Sequence, residues 1–411
     1  MGTAKRIRLG TIAALMAATL GMVGCGSSDS PGGTTGGGST GGGTTGGTTG
    51  GSSGGTTGGS TGGTTGGIVG GTGNVYVSFD GGGEIGTTDT YAGDLSSRIA
   101  TFNTGLNEGI VDNSGTLQGV GVVGGIATLR QFTNFANRGN TAYDPNQDRE
   151  FQFNEIIAPR GIDFAGLTRN SAVVADAPPS GANEDPATLP SVHLLSSVLG
   201  LAPRPVILHT VSVAAAGGRT WDVAYDSPRD RLFAAMTNGT VAVYDAFGGR
   251  SLLASLGGPA VTPSRLITPG MVANGVSASI STNLHGIFYN PGTDQLIVSD
   301  VADAANASDG SIYVFNGANA ANNVATGTNG VPIVQPAAVI RGSNTRLGNP
   351  VDLTLRGDGS LYVAEKLNGG GQILVFNGIL SSTGGNLAPN RSVTTASLGS
   401  VGGPESIANA N

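Results

Sequence analysis

From residue 74 onward, short runs of Val, Ile, Tyr and Phe alternate with clusters of Gly, Asn, Asp and Pro. This is the pattern of β-strands joined by tight turns. Laid over one another, the runs repeat. A first strand reads x-[GDS]-[IVL]-x-apolar in RGIDF (160–164), WDVAY (221–225), HGIFY (285–289), VDLTL (351–355) and ESIAN (405–409). A turn follows, then a second strand: SAVVAD (171–176), RLFAAM (231–236), QLIVSD (295–300) and SLYVAE (360–365). Third strands end in an aromatic plus Asn or Asp, as in TVAVYD (240–245), SIYVFN (311–316) and QILVFN (372–377). PVILHTVS (205–212), PAAVIRG (336–342) and NRSVTTA (390–396) supply fourth strands. Four antiparallel strands repeated in this way predict the blades of an all-β propeller.

The two ends of the chain complete one another. ESIANAN (405–411) is a first strand with no partner after it, whereas NVYVSFD (74–80) and RIATFN (98–103) read as a second and a third strand with none before them. Joined, they make one blade closed by both termini, which leaves no free edge. The count is then five four-stranded antiparallel blades, or six if 104–148, too large for a loop, holds another blade and not an inserted subdomain. Within 126–136, Ile126, Leu129, Phe132 and Phe135 stand three apart, a weak helical pattern.

The first 73 residues lack this grammar. Lys5, Arg6 and Arg8 precede an apolar stretch from Leu9 to Val23, too short for a spanning helix but suited to a signal peptide over 1–24. It ends in Met22-Val23-Gly24-Cys25, which resembles a bacterial lipobox with Met where Leu is usual. That resemblance implies cleavage before Cys25 and lipidation of its thiol. An ordinary secretory peptide with an incidental Cys is the plainer reading, but Cys25 is the only cysteine and sits where cleavage falls. Gly26 follows, with no Asp to signal inner-membrane retention, so an outer-membrane anchor is expected. Residues 27–73 are nearly all Gly, Thr and Ser, with Asp29 the one charge. Such a segment cannot offset its ordering entropy and predicts a tether with a reach of about 40 Å.

Charged residues are only 11% of the chain, so Asn, Thr, Ser and Gly must wet the surface. The net charge of −7 and the lack of a basic cluster beyond the N-terminus argue against nucleic acid as a partner. A lone cysteine excludes an internal disulfide and any CxxC site.

An antiparallel meander sets which strand ends share a face of the disc. Starts of first strands and ends of second strands lie together. The x positions of the first strands, Arg160, Trp221, His285, Val351 and Glu405, therefore form a ring at the channel mouth. Asp176, Asp300 and Glu365 stand around it, with Asp80 one step further on. Loops 81–97, 177–190 and 301–310 open on the same face, which makes it the candidate ligand-binding site. The plainer alternatives are carboxylates that accept turn N–H groups, a satisfied mouth histidine, and Trp221 as packing between blades. His193 and His209 fall in strands and read as structural.

The first-strand lead-ins and the YVA[DE]…VFN strands resemble the NHL and gluconolactonase-like propellers of secreted bacterial proteins, over most of 74–103 and 155–411. Gluconolactonase-like enzymes hold a divalent cation at the channel with one Glu, Asn residues and an Asp. Here Glu405, in Gly403-Pro404-Glu405, resembles the ligand Glu, while no Asn occupies the other ring positions. A second weak metal candidate is Asp144, Asn146, Asp148, Glu150 and Glu155, spaced as positions 1, 3, 5, 7 and 12 of a Ca²⁺ loop. Arg149 replaces its required Gly, which makes a solvated acidic turn the simpler reading. GVGVVG (119–124) matches GxGxxG without a preceding apolar strand. No GxSxG, HExxH or Walker motif occurs. The expectation is a lipid-anchored propeller that binds an extracytoplasmic ligand, protein or glycan at its channel mouth, with no cofactor beyond an optional Ca²⁺. A cation-dependent lactonase-like hydrolase is the alternative, and a structural envelope protein the third reading.

Overall fold

Runs of β-branched and aromatic residues broken by Gly, Asp and Asn turns give strands of three to eight residues throughout. This computed structural model describes residues 73–410 except 80–85, 107, 114, 139–141, 166–170, 179–188, 197, 199–204, 214–215, 325–329 and 401. The signal segment, Cys25, the Gly/Thr/Ser stretch and Asp80 lie outside the described residues.

Among the described residues, six four-stranded antiparallel sheets form a six-bladed β-propeller. Blade 1 takes β1 (Val75–Phe79), β2 (Thr87–Tyr91) and β3 (Arg98–Phe102), with its innermost strand from the other end of the chain. Blade 2 is β4 (Ile110–Asn113), β5 (Thr116–Val123), β6 (Ile126–Phe132) and β7 (Arg149–Phe153). Blade 3 is β8 (Pro159–Ala165), β9 (Ser171–Asp176), β10 (Ser191–Ser196) and β11 (Val206–Ser212). Blade 4 is β12 (Thr220–Asp226), β13 (Arg231–Met236), β14 (Val241–Asp245) and β15 (Arg265–Ile267), followed by a hairpin of β16 (Gly270–Ala273) and β17 (Val276–Ser279). Blade 5 is β18 (Leu284–Asn290), β19 (Gln295–Asp300), β20 (Ser311–Asn316) and β21 (Ala338–Arg341). Blade 6 is β22 (Pro350–Leu355), β23 (Leu361–Glu365), β24 (Gln372–Phe376) and β25 (Arg391–Thr394). The ring closes where β26 (Pro404–Asn409) pairs with β1, Val75 opposite Asn409 and Val77 opposite Ile407.

One open expectation is settled and two change. The stretch 104–148 contributes most of a genuine sixth blade, which settles the count at six. RIATFN is the outermost strand of blade 1, because TTDTY (87–91), expected to be loop, forms the third strand. Thr and Asp at buried positions hid that strand from a hydrophobicity reading. The helical spacing over 126–136 is a strand followed by a short 3-10 turn at Phe135–Asn137. β6 buries side chains on both faces, so it lacks the alternation that would mark a strand.

The core lies between blades. Along β1, Val75, Val77 and Phe79 pack toward blade 6 against Val351, Tyr362 and Ile373, while Tyr76 packs toward blade 2 against Phe102 and Phe135. Period-2 alternation thus feeds two seams at once, and each of the six seams holds its own apolar cluster. Blade 5 buries Tyr289, Leu296 and Tyr313 against Phe233 and Val243 of blade 4.

Candidate functional site

The inner strands carry a repeated irregularity. Pairing with the second strand skips between Pro159 and Ile162, Thr220 and Asp222, Leu284 and Ile287, Pro350 and Asp352, and Phe79 slips to Pro404. The skipped residues include Arg160, Trp221, His285, Val351 and Glu405. A β-bulge kinks the strand and re-aims the extra side chain. The ring positions are therefore bulge residues at the start of each inner strand.

Four of the five meet at the mouth, and Val351 does not. It is buried between blades 6 and 1. Trp221 stacks on His285 at 3.9 Å between ring centroids with the planes 11° apart. The Arg160 guanidinium lies 4.6 Å from the Trp221 ring and that of Arg219 lies 5.8 Å away, so the indole takes part in two cation–π contacts. Arg160 Nη1 donates to Glu108 Oε1 at 2.5 Å, and Lys366 pairs with Glu405. Burial pushes His285 down to about 3, helped by the Arg160, Arg219 and Lys366 charges. His285 is thus a neutral ring in a cationic setting. Glu108 was missed as the sixth ring member. Its signal was present: EGIVD (108–112) has the same form as RGIDF.

The carboxylates outside the ring serve the backbone. Asp176 accepts from the Ile157 and Ala158 N–H groups at 3.1 and 2.7 Å. Asp300 accepts from Thr282, Asn283 and Ala302 N–H and from the Tyr313 hydroxyl. Glu365 accepts from Gly348, Asn349, Leu367 and Asn368 N–H. Burial raises the Glu365 pKa and those N–H groups pull it back. Each of the three latches the chain as it enters an inner strand. His193, buried, meets Thr210 Oγ1 at 2.9 Å and Asp176 at 3.3 Å inside blade 3, and His209 lies half-buried on β11.

The acidic run near 144 folds as a turn. Asp144 accepts from Asn146 N–H, while Asp148 accepts from the Asp144 N–H and takes both Arg138 nitrogens at 2.9 and 2.6 Å. Glu150 is drawn into β7, where it pairs with Arg130, and Glu155 is exposed beyond that strand. The extended backbone of β7 separates positions a Ca²⁺ loop must gather. Among the described residues, no three His, Cys, Asp or Glu side chains converge to hold a metal ion.

Below the mouth, the inner strands carry a second tier that the sequence reading passed over. Asp163 Oδ2 accepts Tyr225 N–H from the next blade at 2.7 Å. Asp222 Oδ2 accepts Ile287 N–H at 3.1 Å, and Asp352 Oδ2 accepts Ile407 N–H at 2.8 Å and the Ser406 hydroxyl at 2.5 Å. Each carboxylate clasps its blade to the following one. Gly161 permits the approach, since a Cβ there would lie 2.6 Å from Asp222 Cα. At this tier the channel opens into a cavity of about 650 Å³. Its wall includes Asp112, Asp163, Asp222 and Asp352 and runs to Ser227, Pro228 and Pro291 in the turns of the opposite face. Burial raises the Asp222 pKa well above its ordinary value, reinforced by the Asp352 and Asp163 charges, and burial pushes Asp352 up to about 6. The open volume therefore lies on the far side of the predicted mouth.

No family model matches the chain, and no curated protein does. Many solved structures are similar at the level of backbone, two of them as follows. The β-propeller domain of Cps50 (Swd1) from Myceliophteria thermophila is 12% identical, covering 79% of this chain and 86% of that one, with a TM-score of 0.43. A protein provisionally named a 6-phosphogluconolactonase from Bacteroides uniformis is 12% identical, covering 81% of this chain and 84% of that one, with a TM-score of 0.47. The propeller assignment rests on the strand pairing itself.

Proposed function

We propose that the chain is a lipid-anchored extracytoplasmic binding protein that holds a small molecule in its propeller channel without transforming it. The observation that carries this is the cavity of about 650 Å³, within the size range of small-molecule sites and walled by alternating apolar and polar inner-strand residues. The signal segment ending at Cys25 and the Gly/Thr/Ser stretch supply the address and the reach. The cation-dependent hydrolase reading needs Glu405 as a metal ligand, but Lys366 already engages that carboxylate. The mouth ring, with Arg160 on Glu108 and Trp221 on His285, supports a role as a stopper above the site.

Native mass spectrometry of the membrane-extracted full chain tests the binding half. A co-purifying or added small molecule bound one per chain is expected, and its loss on Ser227→Trp, at a half-buried wall position outside the seam clusters, in a variant that melts like the parent, places it there. Binding unaffected by Ser227→Trp would overturn the site. Cys25→Ser tests the address, with release of the protein from the membrane fraction expected and retention contradicting it.

A further inference from the structure

Resting on the lipid anchor proposed above, we propose that the hairpin of β16 and β17 is a second membrane contact, which enters the surface of the lipid bilayer. The propeller does not need this hairpin. Between a fourth strand and the next first strand, residues 154–158, 213–219 and 342–349 suffice in other blades, whereas 268–283 carries the added pair of strands. Cross-strand partners share a face, and successive pairs alternate between faces. Met271 opposite Ala278 and Ala273 opposite Val276 therefore lie on one face. All four are exposed, Met271 at 40% and Val276 at 45%. The other face is held at Gly270 and Ser277, both buried. The Ser277 hydroxyl donates to Val331 O at 2.7 Å, Val331 N–H donates to Ser277 O at 3.2 Å, and Gly270 lies against Ile333. Asn274 and Gly275, at φ 52° and 78°, close the tip in a tight two-residue turn. The hairpin is thus fixed from behind and presents an apolar face that packs on none of the core clusters.

The charge pattern favours lipid over protein as the partner. No Asp, Glu, Lys or Arg occurs in 266–293, nor in 317–340, the stretch that backs the hairpin. Val324, paired with Ile333, and Val331 add exposed apolar surface to the same uncharged zone. A protein partner is oriented by a polar and charged rim around the apolar centre. Entry into a bilayer surface sets the opposite condition, that no charge be carried in with the apolar side chains.

The length of chain before the propeller fits the same occupant. Gly73 leads into β1, which is a second strand and so starts on the face away from the mouth. The hairpin follows a fourth strand and stands at the mouth-side rim. The chain therefore enters the disc on the face opposite the hairpin. Strands of this length make the disc about 20 Å thick. A short linker would hold the far face against the membrane, whereas the reach of about 40 Å given by the composition of 27–73 lets the mouth-side rim turn toward it. The anchor makes that contact an intramolecular step, so the weak partition of a few side chains is enough.

Quenching of a site-specific fluorophore by brominated acyl chains tests this in the lipidated full chain, reconstituted in phosphatidylcholine vesicles. Lipidation occupies the only native thiol, so Ala273→Cys can be labelled alone, with Asp358→Cys in the exposed turn after β22, on the far face, as the reference. The expected result is a blue-shifted, bromine-quenched label at position 273 and an unquenched label at 358. Raising the salt should change neither, because no charge takes part. Met271→Asp combined with Val276→Asp, both at exposed positions outside the core clusters, should abolish the quenching at 273 in a protein that melts like the parent. Flotation with the vesicles reads the anchor separately. A chain that floats with an unquenched label at 273 would overturn the hairpin contact and leave the anchor standing. Equal quenching at 273 and 358, or quenching that survives the double substitution, would overturn it too. So would a blue shift without bromine quenching, the result expected if a second copy of the chain covered this face. A chain that does not float would overturn the anchor, and this contact with it.

Discussion

The two ends of the channel are built from the same six inner strands and differ in how their charges are answered. At the mouth every cation described has a partner of its own: Arg160 has Glu108 and Trp221, Lys366 has Glu405, and Arg219 donates to Ala177 O at 2.7 Å. Half a strand further down, Asp163, Asp222 and Asp352 hold neighbouring blades by accepting backbone N–H groups, and the cavity wall among the described residues includes no Lys, Arg or His. The mouth lowers its own energy by self-complementation. The lower tier retains a penalty, visible in the raised Asp222 and Asp352 pKa values. Sites that break a local rule without internal compensation are where function is sought.

Strand β26 serves both ends, so removing it breaks both. It brings Glu405 to the mouth, Ser406 and Ile407 to the Asp352 clasp, and Asn409 to the cavity wall. Deleting 405–411 exposes the edge of β1 and opens the seam that holds Val75, Val77 and Val351. The expected outcome is loss of the cooperative thermal transition in calorimetry. A truncated protein that melts with the parent's midpoint and enthalpy would refute closure by the termini.

A smaller change separates the ends. Trp221→Ala removes the His285 stack and the Arg160 and Arg219 contacts while leaving Asp222 in place. Full burial of an aromatic would put the loss at 3–5 kcal/mol; Trp221 is half-buried, so about 2 kcal/mol is expected. Urea unfolding followed by circular dichroism measures it. Cavity binding should survive, because the wall does not include Trp221. A variant with parental stability would show that the stack contributes nothing to the stopper.

How far the sequence revealed these features follows from what each residue does. The inner strands were legible because Ile162, Val223, Ile287, Leu353 and Ile407 recur at one position of a repeated pattern. The mouth ring was legible by topology, yet Val351 turned into the seam because a valine there gains more by burial than by facing water. Blade 2 was obscured because its central strand LQGVGVV has Gly119 and Gly121 where other blades carry bulky residues, and a Cβ at Gly119 would meet Ile110 and Leu106. The cavity was invisible because its aspartates occupy different positions of the pattern: fourth in RGIDF, second in WDVAY and VDLTL. No alignment of the repeats by column collects them; only the curvature of the ring does.

The smallest effect sharpens the contrast in electrostatics. Asp352→Asn keeps an acceptor oxygen for Ile407 N–H but removes the charge that burial disfavours, so the two changes offset to within about 1 kcal/mol near neutral pH. Its pH dependence carries the information. Asp352 sits at about 6 in the fold, against about 3.9 in an unfolded chain. Between pH 4 and 6 the folded state therefore binds more protons than the unfolded state, and its stability from this group declines as pH rises through that window and levels off above it. The Asn variant lacks this decline. The difference in unfolding free energy should thus move in the variant's favour from pH 4 to pH 7, while a substitution at the self-complemented mouth shows no such drift. A flat difference across that range would mean that Asp352 is as well compensated as Glu405, and the asymmetry between the two ends of the channel would vanish.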